Sequence, residues 1–145
     1  MLLRLCCAVG CLFLLAATIA ADDADPRDKL LGRWQPATAK DEGEMWFLET
    51  VGDSLRISHS TKQKTDAIEC NIMGKDCEVK VGGRKTKVSL WFNGDMLVEM
   101  EMRGTEVIKR RFSIAENDRL KLETMQIAPP GRTETAEFKR AAAIH

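Results

Sequence analysis

The sequence predicts an all-β fold, an antiparallel up-and-down β-barrel of about eight to ten strands, and three observations predict it. Beyond Asp22 no segment keeps a helical period for long; short runs with apolar residues at alternate positions take its place. Glycine, asparagine and aspartate punctuate these runs and leave connections mostly of about two to five residues, which join antiparallel neighbours. An open meander of that length would expose two edges, and closing the sheet on itself removes both.

Ahead of the strands stands "MLLRLCCAVGCLFLLAATIAADDAD". One early cation, Arg4, precedes an apolar run from Leu5 to about Ala20, and small residues then lead into an acidic segment. Those are the three regions of a secretory signal, a helix over residues 1–21, with a single barrel domain over 22–145. Two alternatives are a retained anchor and lipid attachment at Cys11. The run is shorter than the roughly 20 residues a span needs, and too little apolar sequence precedes Cys11. The expected product is secreted or periplasmic, with no stable membrane insertion once the signal is removed.

The strands follow in order. "LLGRWQP" (30–36) is the first and ends at Pro36; "EMWFLETV" (44–51) turns through "GDS" into "LRISHS" (55–60). "DAIEC" and "CEVKV" flank "NIMGKD", and a Gly-Gly pair at 82–83 leads into "KTKVSLWF" (85–92). "NGD" is the clearest turn signal, because Asn-Gly accepts positive φ angles. After it come "MLVEMEM" (96–102), "EVIKRRFSI" (106–114), "LKLETMQI" (120–127) and, beyond the loop "APPGR", "TETAEFKR" (133–140).

Removing the signal takes Cys6, Cys7 and Cys11 and leaves Cys70 and Cys77. Two nearby cysteines in an exported chain read as one disulfide on a loop, stabilising by roughly 2–3 kcal/mol. A redox pair would be spaced C-x-x-C, and zinc would need four ligands where two thiols, His59 and His145 are the supply. Two free thiols are the remaining alternative. Without Arg4 the net charge is about −1, and no basic block exists to attract nucleic acid. No metal or other cofactor is expected, and no catalytic motif is present: G-x-S-x-G, H-E-x-x-H, a P-loop and an EF-hand are all missing.

Facing can be read on the "NGD" hairpin. Met96, Val98, Met100 and Met102 share one side and are read as inward; pairing Phe92 with Asp95 sets Trp91 opposite Met96 on that inner face. Ile108, Arg110, Phe112 and Ile114 share a face of the following strand, and its apolar members point it inward. Arg110 therefore lies inside or at the rim and needs a partner, because an unpaired buried charge is expensive.

"GRW" at 32–34 resembles the G-x-W of the lipocalin and fatty-acid-binding-protein superfamily, the calycins. "WFNGDMLVEMEMRGTEVIKRRFSIAENDRLKLETM" followed by "TAEFKR" is similar to the late strands of the same group, and the whole layout resembles small exported bacterial proteins. The resemblance covers residues 30–140. It implies a barrel whose tryptophan, Trp34, closes one end against an arginine of a late strand, with Gly32 beside it. It does not carry over a fatty-acid clamp. Arg110 falls where the first clamp arginine would lie, but Ala136 and Phe138 occupy the matching inward places of the last strand and the chain has no tyrosine. "PATAKDEG" is too short for a two-helix lid.

The expected function is passive binding, without catalysis and as a monomer, of a small hydrophobic or amphipathic ligand in the barrel. Its candidate contacts are Arg110, Trp91, Met96, Met100 and Phe112. The alternative is a barrel solid inside that acts through its surface in the envelope. Arg110 is read first as structural, paired with an internal glutamate or stacked near Trp34, and second as a ligand anchor. The methionines serve as adaptable core filler or a cavity lining, and Trp34, Trp46 and Trp91 as core anchors. His59 has no carboxylate motif beside it in its strand.

Overall fold

The computed structural model describes residues 24–38 and 42–142. The expected signal peptide, with Cys6, Cys7 and Cys11, lies outside the described residues. Among those described, no helix is long and apolar enough to cross a membrane. All ten anticipated strands form: β1 (Gly32–Pro36), β2 (Met45–Val51), β3 (Ser54–Ser60), β4 (Thr65–Asn71), β5 (Cys77–Val81), β6 (Arg84–Asn93), β7 (Met96–Arg103), β8 (Glu106–Ala115), β9 (Arg119–Ala128) and β10 (Thr133–Arg140). Each pairs antiparallel with its sequence neighbour except at one place, and β1 pairs with β10 to bring the ends of the meander together.

The exception is β4 and β5, so the barrel is nearly closed and both edges survive, facing each other. The reason lies in the connection between them. Met73 bridges to Trp91 and the Gly74 N–H donates to the Leu90 carbonyl at 2.8 Å, so residues 72–76 run along β6 and do not fold back onto β4. The Cys70–Cys77 disulfide spans this seam, with Cα atoms 6.1 Å apart. It is a staple, as expected, but it joins two strands that hydrogen bonds leave apart.

The first strand starts later than predicted. Residues Pro26–Leu30 form a single 3₁₀ turn, opened by a proline that has no N–H to waste there and capped by Asp25, whose side chain accepts from the Arg27 N–H at 3.0 Å. This turn places Leu30 under one end of the barrel, 1% exposed. Trp34, wholly buried, donates its indole N–H to the Leu30 carbonyl at 2.9 Å. Arg140 of β10 lies over the Trp34 ring, 4.3 Å from its centroid, and donates to the carbonyls of Leu31 and Lys29. Gly32 adopts φ 119°, and an added Cβ would sit 3.3 Å from the Arg140 guanidinium. Trp34 and Arg140 therefore pack together at this end of the barrel, with Gly32 beside them.

Above this plug the interior is filled by Leu48, Leu55, Leu90, Leu97, Phe112, Leu120 and Phe138. Ala136, expected beside Phe138 on the inner face, is exposed where Phe138 is buried.

The β6–β7 hairpin departs from its predicted facing. Asn93 pairs with Met96 and Trp91 with Val98, so the turn residues are Gly94, at φ 62°, and Asp95. Leu97, Glu99 and Glu101 are buried on the inner face, which puts Met96, Val98, Met100 and Met102 on the outer one. The partner strand decides it. Val88 and Leu90, both 0% exposed, point inward, and they pair with Glu101 and Glu99. Cross-strand partners share a face, so the glutamates follow the leucine and valine inside.

Candidate functional site

Sequence alternation places Arg110 on the inner face of β8, where it pairs with Glu99 of β7, two residues from Glu101 on the same face. One guanidinium nitrogen, Nη1, donates to Glu99 Oε1 at 3.0 Å and to Glu101 Oε2 at 2.7 Å. Arg103, at the end of β7, donates Nε to Glu101 Oε1 at 2.7 Å, and its Nη2 reaches the same oxygen. Two carboxylates and two guanidiniums thus share one stretch of barrel wall, three of them largely shielded from solvent.

Their environments split the two glutamates. Burial pushes the Glu99 carboxyl up from the usual carboxylate range, against the pull of Arg110. Burial alone would raise Glu101 too, but its hydrogen bonds from Arg110 and Arg103 prevail and hold it below that range. Glu99 Oε2 has no hydrogen-bond partner among the described residues.

These groups line a cavity of about 240 Å³ whose wall includes Trp46, the cross-strand partner of Trp34. Its charged wall is Glu99, Glu101, Arg103 and Arg110, with Lys64 and Asp66 across from them on the β4 side; its apolar wall is Trp46, Ile57, Ile68 and Val81. Lys64 holds Asp66 at 2.7 Å, and that hydrogen bond lowers the Asp66 carboxyl. Trp46 is fixed from two directions: the His59 ring stacks on it with centroids 4.1 Å apart, and Phe112 meets it edge-on at 5.5 Å. His59 does have a carboxylate neighbour, Glu44, at 2.9 Å from Nε2, which also accepts the Trp46 indole N–H at 3.1 Å. The separation of fifteen positions between Glu44 and His59 hides that pair from a reading of the strand alone.

Of the residues anticipated as ligand contacts, Arg110 lines this cavity and Phe112 supports Trp46 just below it. Trp91, Met96 and Met100 do not: they project from the outer face of the hairpin, where Trp91 meets the Met73 segment and Met96 borders the N-terminal turn. Glu99, Glu101 and Arg103 went unanticipated as cavity residues. A signal was available in the strong apolar alternation of Val88, Leu90 and Phe92, which carries Glu101, Glu99 and Leu97 inward by pairing.

No protein-family model matches the sequence, and no curated protein matches it. In structure the chain is similar to a fatty-acid-binding protein of Schistosoma mansoni in complex with arachidonic acid, at TM-score 0.66 and 13% identity over 81% of this chain and 99% of that one. It is similar as well to apo lipid binding protein 8 of Caenorhabditis elegans, at TM-score 0.65 and 12% identity over 79% and 96%. A SAHS (abundant heat soluble) protein of Ramazzottius varieornatus aligns at TM-score 0.65 and 12% identity over 78% and 96%. At these identities the likeness is one of fold, and the fold is calycin-like.

Proposed function

We propose that this is an exported, monomeric binding barrel whose open mouth holds one small amphipathic molecule and performs no chemistry on it. The observation that carries the reading is the two-sided cavity: an apolar wall of Trp46, Ile57, Ile68 and Val81 faces a buried charged wall of Glu99, Glu101 and Arg110. Desolvated charges gathered in a cleft are a functional-site signature. The structural neighbours named for fatty-acid or lipid binding support a barrel interior used for apolar ligands. At about 240 Å³ the cavity falls just under the ~300 Å³ where drug-sized pockets begin, which favours a compact ligand over a long acyl chain. Export is supported by the signal-like N-terminus and by a disulfide, which persists in oxidising compartments.

The test is extraction of the natively purified protein and mass spectrometry of what is released, together with displacement of an environment-sensitive dye. One small molecule recovered in stoichiometric amount is the expected result. A protein that is folded, carries nothing and binds no lipophilic dye would reject the reading in favour of a barrel acting through its surface, which the filled interior beside Trp34 favours.

A further inference from the structure

We propose that the group recognised in the mouth is an ammonium: a small primary amine on a short apolar body, donating its N–H to Glu99 Oε2. The inference rests on the ligand-binding reading and names the chemistry of its ligand.

Three observations carry it. Glu99 is 3% exposed, lines the cavity, and keeps one carboxylate oxygen without a partner among the described residues. A buried acceptor left unpaired is costly, so the site is completed by a donor. Next, every cation on the cavity wall already faces a carboxylate: Arg110 meets Glu99 and Glu101, Arg103 meets Glu101, and Lys64 meets Asp66. An incoming carboxylate would have to share cations that already hold Glu99, Glu101 and Asp66. Last, Trp46, Ile57, Ile68 and Val81 line the cavity beside Lys64 and Asp66, so a short hydrocarbon body finds burial while its nitrogen reaches β7.

The groups facing Glu99 are Arg110 from β8, Glu101 and Arg103 from its own strand, and His59, Lys64 and Asp66 across the cavity. Burial favours the protonated carboxyl in the empty site. Binding then reads R–NH₃⁺ plus Glu99–COOH giving the ion pair plus one proton to solvent. Affinity therefore falls as pH drops through the raised Glu99 titration, while the amine itself, with a pKa near that of lysine at roughly 10.4, stays charged.

Calorimetry with hexylammonium, hexanol and hexanoate on the purified protein tests this. The expected order places hexylammonium at least tenfold tighter than hexanol and leaves hexanoate weakest, with proton release, read in buffers of different ionisation enthalpy, growing as the assay pH is lowered through the raised Glu99 titration. Glu99→Gln is expected to weaken hexylammonium at least tenfold and abolish the proton release; its circular dichroism and melting temperature establish that it folds. Should Glu99→Gln unfold, the proton release and pH dependence of the unaltered protein still decide. Hexanoate binding as tightly as hexylammonium overturns the ammonium assignment and leaves the binding-barrel reading standing. Unchanged amine affinity in a folded Glu99→Gln protein does the same. A folded protein that binds none of the three overturns the ammonium assignment, and the extraction experiment then judges the broader reading alone.

Discussion

Trp34 is the side chain on which one end of the barrel rests. It is fully buried, hydrogen-bonded to Leu30 and covered by Arg140. Trp34→Ala is expected to cost about 3–5 kcal/mol, read as a loss of urea resistance, because it removes a large buried ring and strands the arginine above it. Gly32→Ala should destabilise by about 1–3 kcal/mol in the same assay, since φ 119° suits glycine and the new methyl would press on Arg140. Arg110 makes a different kind of demand. Arg110→Ala leaves two buried carboxylates without their shared countercharge and is expected to cost about 3–5 kcal/mol. Glu99 gives the pH dependence its sign. Its folded pKa lies above the unfolded one, so its contribution is fully present below the unfolded value and is lost as pH rises through the folded value. Glu101, held low, runs the other way and loses its contribution as pH falls through its depressed value. Thermal melts from acid to neutral pH should show Glu99→Gln losing less stability with rising pH than the unaltered protein.

At the scale of elements, the ten strands and their order were legible, because each has a two-residue period and a short turn at its end. The facing of β7 was not. Met96, Val98, Met100 and Met102 form the more apolar side of that strand taken alone, yet they lie outside. Pairing with β6 overrides the count: Leu90 and Val88 bury more, and they bring Glu99 and Glu101 with them. The same coupling made Arg110 half legible. Its inward direction could be read from Phe112 and its neighbours, whereas its partners lie on another strand. The β4–β5 seam is the element-scale feature with the sharpest consequence. These two edges share no ladder, so Cys70–Cys77 is the covalent tie across the gap. A Cys70→Ser/Cys77→Ser double variant should lose about 2–3 kcal/mol. Hydrogen exchange is expected to rise first in β4 and β5; a uniform rise across the sheet would speak against the seam as the weak point.

Across the whole molecule, the barrel is asymmetric along its axis. One end is plugged by the Pro26–Leu30 turn, Trp34 and Arg140; elsewhere the barrel opens on a small cavity with Glu99, Glu101, Arg103 and Arg110 on one side and hydrocarbon beside Lys64 and Asp66 on the other. A bulky substitution on the apolar wall, Ile68→Trp, should fill that cavity and abolish dye and ligand binding while leaving the sheet's circular dichroism intact. By itself the sequence determined the strand count, the meander, the staple and the tryptophan that closes the plugged end. Those depend on alternation, turn residues and local spacing, which act between near neighbours in the chain. Tertiary structure alone decided which face of the β6–β7 hairpin turned inward, that the barrel stopped one strand pairing short of closure, and that Glu99, Glu101 and Arg110 met around one cavity. Burial is a property of paired strands and of the whole closed sheet, so no strand read singly could assign it.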